Sequence, residues 1–170
     1  GDVYKRQSED KPYRLPDCGI KSLSAPPVVI GTGPAGLFCG LILARKGYCP
    51  ILLERGEDVD ARTERVARFW ADGSFDPSSN VQFGEGGAGT FSDGKLNTLV
   101  KDTFGRNREV LRILAQFGAD PSICYKNKPH IGTDVLSRIV KSIRKEIEAL
   151  GGQVRFLSQV TDFEIREGRL

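Results

Sequence analysis

Hydrophobic and polar positions alternate with different periods along the chain, and the period marks each element. Val28-Val29-Ile30 is a short unbroken apolar run of β-branched residues, which predicts a parallel strand buried on both faces. Pro34 to Lys46 reads as a helix: Pro34 stands in the first turn, where a missing N–H costs little, and Gly47 ends it. Tyr48 to Glu54 reads as a second strand. Asp60 to Ala71 sets Val66, Phe69 and Trp70 among charges, with Val59 just before, and predicts an amphipathic helix. Arg106 to Gly118 predicts another, with Val110, Leu111, Ile113, Leu114 and Phe117 on one broad face. The clearest helix spans Thr133 to Leu150, with Thr133 as its cap, an apolar stripe of Leu136, Ile139, Val140, Ile143 and Ile147, and Gly151-Gly152 as its stop. Gln153–Leu157 and Gln159–Arg166 then alternate as strands. Residues 8–26 are polar and proline-rich, which predicts a linker, and Gly73 to Gly94 predicts a loop.

The first strand ends in Gly31-Thr32-Gly33-Pro34-Ala35-Gly36, a Gly-x-Gly-x-x-Gly. That motif alone is weak; strand before, helix after and acid beyond give it meaning. Gly31 allows a tight turn, Gly33 lets the backbone approach a diphosphate, and Gly36 lets the helix pack on the sheet. The free N–H groups and dipole of the helix point at the anion. Gly40 fits a close helix–strand contact. Glu54 lies 23 positions after Gly31, at the end of the second strand. There a carboxylate can accept from both ribose hydroxyls and would repel a 2′-phosphate.

Composition narrows the class. The chain has 170 residues, 39% hydrophobic and 28% charged, which fits one globular domain. A net charge of +3, scattered along the chain, argues against a nucleic-acid partner. No apolar run reaches the roughly 20 residues that span a bilayer, and no segment reads as a signal peptide. Cys18, Cys39, Cys49 and Cys124 lack metal-type spacing and any Cys-x-x-Cys, so reduced thiols in a cytoplasmic protein are expected, with Cys39 and Cys49 as small core residues. Gly1 to Gln7 reads as an in-frame translation of a sequencing-library transposon adapter, and residues 1–7 are set aside from fold reasoning. No methionine occurs, and the sequence stops at Glu167-Gly168-Arg169-Leu170, just after a turn signal; both predict an internal piece of a longer protein.

A second informative region is Ser79-Asn80-Val81-Gln82-Phe83-Gly84-Glu85-Gly86-Gly87-Ala88-Gly89-Thr90-Phe91-Ser92-Asp93-Gly94-Lys95. So much glycine is costly to order, and such loops persist where a ligand or another backbone must come close. Consecutive N–H groups can form an anion nest there. The hydroxyls of Thr90 and Ser92 could bond a ribityl chain or phosphate.

These residues make the chain resemble the flavoprotein family usually described as uncharacterised FAD-dependent dehydrogenases. The matching stretches are Val28–Gly36, Ile51–Gly56, Ser79–Asn97, Lys128–Asp134 and Leu136–Val160, nearly all of residues 26–166. The resemblance implies an α/β, Rossmann-like FAD-binding domain of the two-dinucleotide-binding type, incomplete, over residues 27–170. It implies that Gly31, Gly33, Pro34, Ala35 and Gly36 carry the diphosphate. Glu54 would hold the adenosine ribose with Arg55 beside it. Gly89, Thr90 and Ser92 would line the diphosphate, ribityl or flavin end, and Val160 would bond the adenine edge through its backbone. Full-length relatives carry a further domain upstream and the rest of the flavin and substrate domains downstream.

The expected function is thus the FAD-binding portion of a flavin-dependent oxidoreductase, with NAD(P)H a candidate electron donor and an unknown small-molecule substrate. His130, the single histidine, could act as acid or base. Lys95 could stabilise negative charge on a reduced flavin, and Asp93 could contact flavin or substrate. Each also has a plain structural or solvated reading. No paired carboxylates, nucleophile elbow or zinc pattern is present, so the hard chemistry would belong to the cofactor. Two alternatives stand: a dehydrogenase that holds NAD itself in this motif, and a protein that uses FAD structurally or for RNA modification.

Overall fold

In a computed structural model of the chain, the described residues are 12–92, 94–96, 101–126 and 128–167. The adapter-like residues 1–7, Asp93 and Asn97 lie outside them. Residues 12–26 carry no regular element, as a linker would. The order thereafter is β1 (Val28–Ile30), α1 (Pro34–Arg45), β2 (Ile51–Leu53), α2 (Val59–Asp72), a 3-10 turn (Ala88–Phe91), α3 (Arg106–Gln116), a second 3-10 turn (Pro121–Cys124), α4 (Thr133–Ala149) and β3 (Gln153–Arg155).

The three strands form one parallel sheet in the order β1-β2-β3. Register places Val29, Leu52 and Val154 side by side. Since alternate side chains share a face, these three point together into the core, which α1 and α4 cover. Gly40 makes the close approach possible: a Cβ there would stand 2.8 Å from a Leu52 methyl. The α4 stripe packs as its spacing predicts, with Ile139, Val140, Ile143 and Ile147 buried and Leu136 against the cluster. Ile113 and Leu114 of α3 join the same core.

Four expectations are corrected. The β1 strand is not buried on both faces. Val28 and Ile30 are 56% and 65% exposed, because β1 is an edge strand and both helices lie on the Val29 side. Residues 159–165 form no strand; Ser158 N donates to Glu54 O (2.7 Å), and the chain then leaves the sheet. Thr133 does not cap α4: the cap position is Gly132, and no side chain closes it. Cys39 and Cys49 are exposed, Cys39 on the outer side of α1 and Cys49 in a turn at φ 47°. Helix α2 does follow the cap rule, with the Asp58 carboxylate accepting from Asp60 N (2.9 Å) and Ala61 N (3.3 Å).

Among the described residues, no helix is long and apolar enough to cross a membrane.

Candidate functional site

Sharp reversal at the end of β1 builds the first wall of the site. Gly31 takes φ 89°, and its N–H donates to Leu53 O (2.7 Å) across the sheet. Gly33 follows in extended conformation as the cap residue of α1, with no side chain bonded to the helix end. The first-turn amides of a helix have no partner within it, and no side chain caps them here. A Cβ on Gly36 would overlap the Gly31 carbonyl oxygen, so only glycine lets α1 start this close to β1. Cβ atoms on Gly31 and Gly33 would meet nothing within 4 Å.

Glu54 supplies the second wall. Its carboxylate is buried at the end of β2. Oε2 accepts from Thr32 N and Thr32 Oγ1, both at 2.8 Å, and Oε1 accepts from Gly56 N at 2.9 Å. A carboxylate offers about four acceptor positions, so about one is left, where two ribose hydroxyls were expected. The same three bonds make Glu54 part of the turn's structure, a role the sequence did not suggest. Arg55 beside it donates from Nη2 to Pro77 O (3.0 Å) and lies 4.1 Å over the Phe83 ring. Its Nε is buried without a partner.

Gly31, Gly33, Glu54, Arg55 and Val160 all line one cavity of about 330 Å³. Five of the expected site residues therefore converge. Pro34, Gly89 and Ser92 line a different space, an apolar cavity of about 160 Å³ against Leu37, Leu114, Val140 and Ile143. Ala35 is exposed and borders neither cavity. Thr90 is fully buried against Gly86, and its hydroxyl has no partner. A larger groove of about 440 Å³ runs between Phe69, Trp70 and Phe75 and contains none of the expected site residues.

The glycine-rich segment is folded back on the turn. Gly86 N donates to Thr32 O (2.9 Å), and a Cβ on Gly87 would stand 3.0 Å from Pro34 Cδ and 3.2 Å from Gly33 Cα. Asn80, Gly84, Glu85, Gly86 and Thr90 are all buried. Glu85 is fully enclosed; Oε2 accepts from Val59 N (2.7 Å) and Oε1 from Arg144 Nε (2.8 Å). Burial pushes its carboxyl upward against those two bonds. Neither Glu85 nor the fully buried Arg62 of α2 was singled out from the sequence, where charges in an amphipathic helix and a glycine loop read as solvated.

Lys95 and His130 pair through a short antiparallel bridge, so two distant candidates meet. Both are exposed; Lys95 borders the apolar cavity, and neither borders the 330 Å³ one. Among the described residues, no cluster of His, Cys, Asp or Glu could hold a metal ion.

Glu57, just past the Glu54 turn, meets Arg65 at 2.5 Å. The Arg65 hydrogen bond holds its carboxyl below the ordinary value of 4.5. A carboxyl depressed on folding adds stability that is present above its unfolded pKa and lost as pH falls through the folded one. Arg65→Met is thus expected to lower stability at pH 7, with a deficit that shrinks as pH falls from the ordinary Glu value of 4.5 through the lower folded value. Urea unfolding of both proteins at a series of pH values checks it; a deficit that is constant with pH contradicts it.

No family model matches the chain. The chain is 54% identical over 152 residues to an uncharacterized protein of Clostridium beijerinckii; the match covers 89% of this chain and 28% of that protein. The chain thus spans under a third of the length of that relative.

Proposed function

We propose that this chain is the FAD-binding portion of a flavin-dependent oxidoreductase, with the ADP half of FAD in the cavity between Gly31, Gly33, Glu54 and Val160. One observation supports this above others: the open glycine turn that leads into α1, Gly31 and Gly33, lines the same cavity as a buried acid on the next strand. The residues present fit the group. Bare backbone at Gly31 and Gly33 leaves room for a diphosphate, and the amides and dipole of α1 favour its charge. Glu54 has about one acceptor position left for a ribose hydroxyl. Its negative charge opposes a 2′-phosphate, which disfavours NADP. Arg55, on the wall of this cavity, carries a buried Nε donor without an acceptor, as a group that completes a site on ligand binding would.

FAD, when bound, supplies hydride and electron transfer that no side chain here can perform. The chain's own work is to bind and orient. Gly31–Gly36 would hold the diphosphate, Glu54 the ribose, and Val160 the base edge, while Gln82, Phe83, Gly84 and Gly87 line the same cavity. Lys95 and His130 stand apart from that cavity, and any part they play belongs to the flavin or substrate end. A reducing, cytoplasmic setting is part of the same proposal, on the spacing of the four cysteines in sequence. NAD in the same turn would use the same acid; the glycine loop packed on the turn favours FAD, since a simple NAD domain has no need of it.

A visible spectrum of the purified protein, with NADH or NADPH then added anaerobically, tests the reading. Oxidised flavin bands near about 370 and 450 nm that bleach on reduction are expected. A colourless protein that binds NAD and not FAD overturns it.

A further inference from the structure

We propose that Arg62 is the positioning residue of this site: its buried guanidinium is the template on which residues 80–87 fold into a wall against the Gly31–Gly36 turn before any ligand arrives. Arg62 is wholly enclosed, and all three of its nitrogens donate to main-chain carbonyls. Nε bonds Asn80 O (2.8 Å), and Nη2 bonds Val81 O (2.9 Å). Nη1 is shared among Glu85 O (2.6 Å), Gly87 O (2.9 Å) and Gly84 O (3.3 Å). The Phe91 ring closes the guanidinium from one side, 4.6 Å from its carbon.

A planar fork that donates from three nitrogens in fixed directions reaches all five carbonyls, where a lysine ammonium has three donors from one point. Burial lowers the pKa of Arg62 to about 10, which leaves it charged at neutral pH. Charged donors make the stronger hydrogen bonds.

In a trans peptide the carbonyl and the next N–H point in opposite directions. Each carbonyl drawn in toward Arg62 therefore turns an amide outward. The Glu85 carbonyl faces Arg62, and the amide of the same peptide, Gly86 N, donates to Thr32 O (2.9 Å). Thr32 in turn donates twice to Glu54. An unbroken chain of hydrogen bonds thus runs from Arg62 through the Glu85–Gly86 peptide and Thr32 to the acid at the ribose position. The glycines answer to the same arrangement. A Cβ on Gly84 would stand 2.5 Å from Arg62 Cδ, and one on Gly86 would overlap Thr90 Oγ1. The loop's glycine content follows from packing around the protein's own groups.

The ligand arm of the test rests on the proposed cofactor site; the exchange arm rests on the chain alone. Amide hydrogen exchange is measured on the ligand-free protein and on R62Q and R62K, with FAD titrations alongside. Expected in the native protein is exchange at Glu85 and Gly86 at least about 100-fold slower than in residues 12–26. R62Q is expected to lose that protection over 80–87 while Leu41 and Ile143 keep theirs, and to bind FAD at least about tenfold more weakly. R62K, which keeps the charge without the fork, is expected to fall between the two. Rapid exchange at Glu85 and Gly86 in the native protein overturns the proposal, as does native protection and affinity in R62Q. If R62Q does not fold, R62K decides: native-like local exchange there overturns the proposal. A protected loop that R62K loosens, in a protein that fails to bind FAD, supports the template and sinks the FAD reading.

Discussion

Gly36→Ala is expected to cost the fold about 3 kcal/mol or more, and to remove FAD binding with it. The added methyl would overlap the carbonyl oxygen of Gly31, and that oxygen belongs to backbone which cannot swing aside. Relief requires α1 to move off β1, which opens the contact between Gly40 and Leu52 and displaces the helix start from the cavity. Gly33→Ala is the matched control. Its Cβ meets nothing within 4 Å, and its φ of −64° suits any residue. Stability there is expected to stay within about 0.5 kcal/mol of the native value, while FAD affinity falls at least tenfold (about 1.4 kcal/mol) because the methyl occupies the space proposed for the diphosphate. Urea midpoints and FAD titrations on the two variants separate the roles. A Gly33→Ala protein that binds FAD as the native one does would remove the turn from the site.

Glu54→Gln is expected to show the second large effect, on both stability and ligand choice. Three donors converge on this carboxylate: Thr32 N, Thr32 Oγ1 and Gly56 N. An amide has a single acceptor oxygen. Whichever way it turns, its NH₂ faces a backbone N–H, and one buried donor is left without an acceptor. The cost is about 3 kcal/mol, from a lost charge-assisted bond and an unsatisfied amide. Loss of the negative charge should also reduce the discrimination between ADP and its 2′-phosphorylated form. A competition assay against bound FAD reads this as a ratio of inhibition constants, which is expected to move toward unity in the variant. An unchanged ratio would mean that Glu54 is a strut of the turn and no ribose ligand.

The first βαβ unit was legible because its signals are local. Turn glycine, helix proline, small residues at close contacts and an acid one strand later are all set by neighbours in sequence, and Gly31, Gly33, Gly36, Gly40 and Glu54 stand in those positions. The stripe of α4 was legible for the same reason. What was not legible depends on partners far along the chain. Val28 and Ile30 read as buried because β-branched runs usually are, and only the sheet order shows that β1 is an edge with one bare face. Residues 159–166 alternate as a strand would, but alternation does not supply a neighbouring strand to pair with. Arg62 was hidden most completely: a charged residue at an amphipathic-helix position reads as solvated unless five carbonyls are known to surround it. The glycine loop was rightly marked as a place of close approach, although what approaches first is Arg62 and the Gly33–Pro34 turn. Gly89 and Ser92, which the resemblance places at the diphosphate, ribityl or flavin end, border the apolar cavity.

The most direct measurement is a titration of FAD fluorescence with the ligand-free protein, followed by displacement with ADP. The account predicts saturable one-to-one binding that ADP reverses and 2′-phosphorylated ADP reverses far less well. No saturation up to about 1 mM, where binding would be worth only about 4 kcal/mol, would contradict it, as would FAD binding that ADP cannot displace.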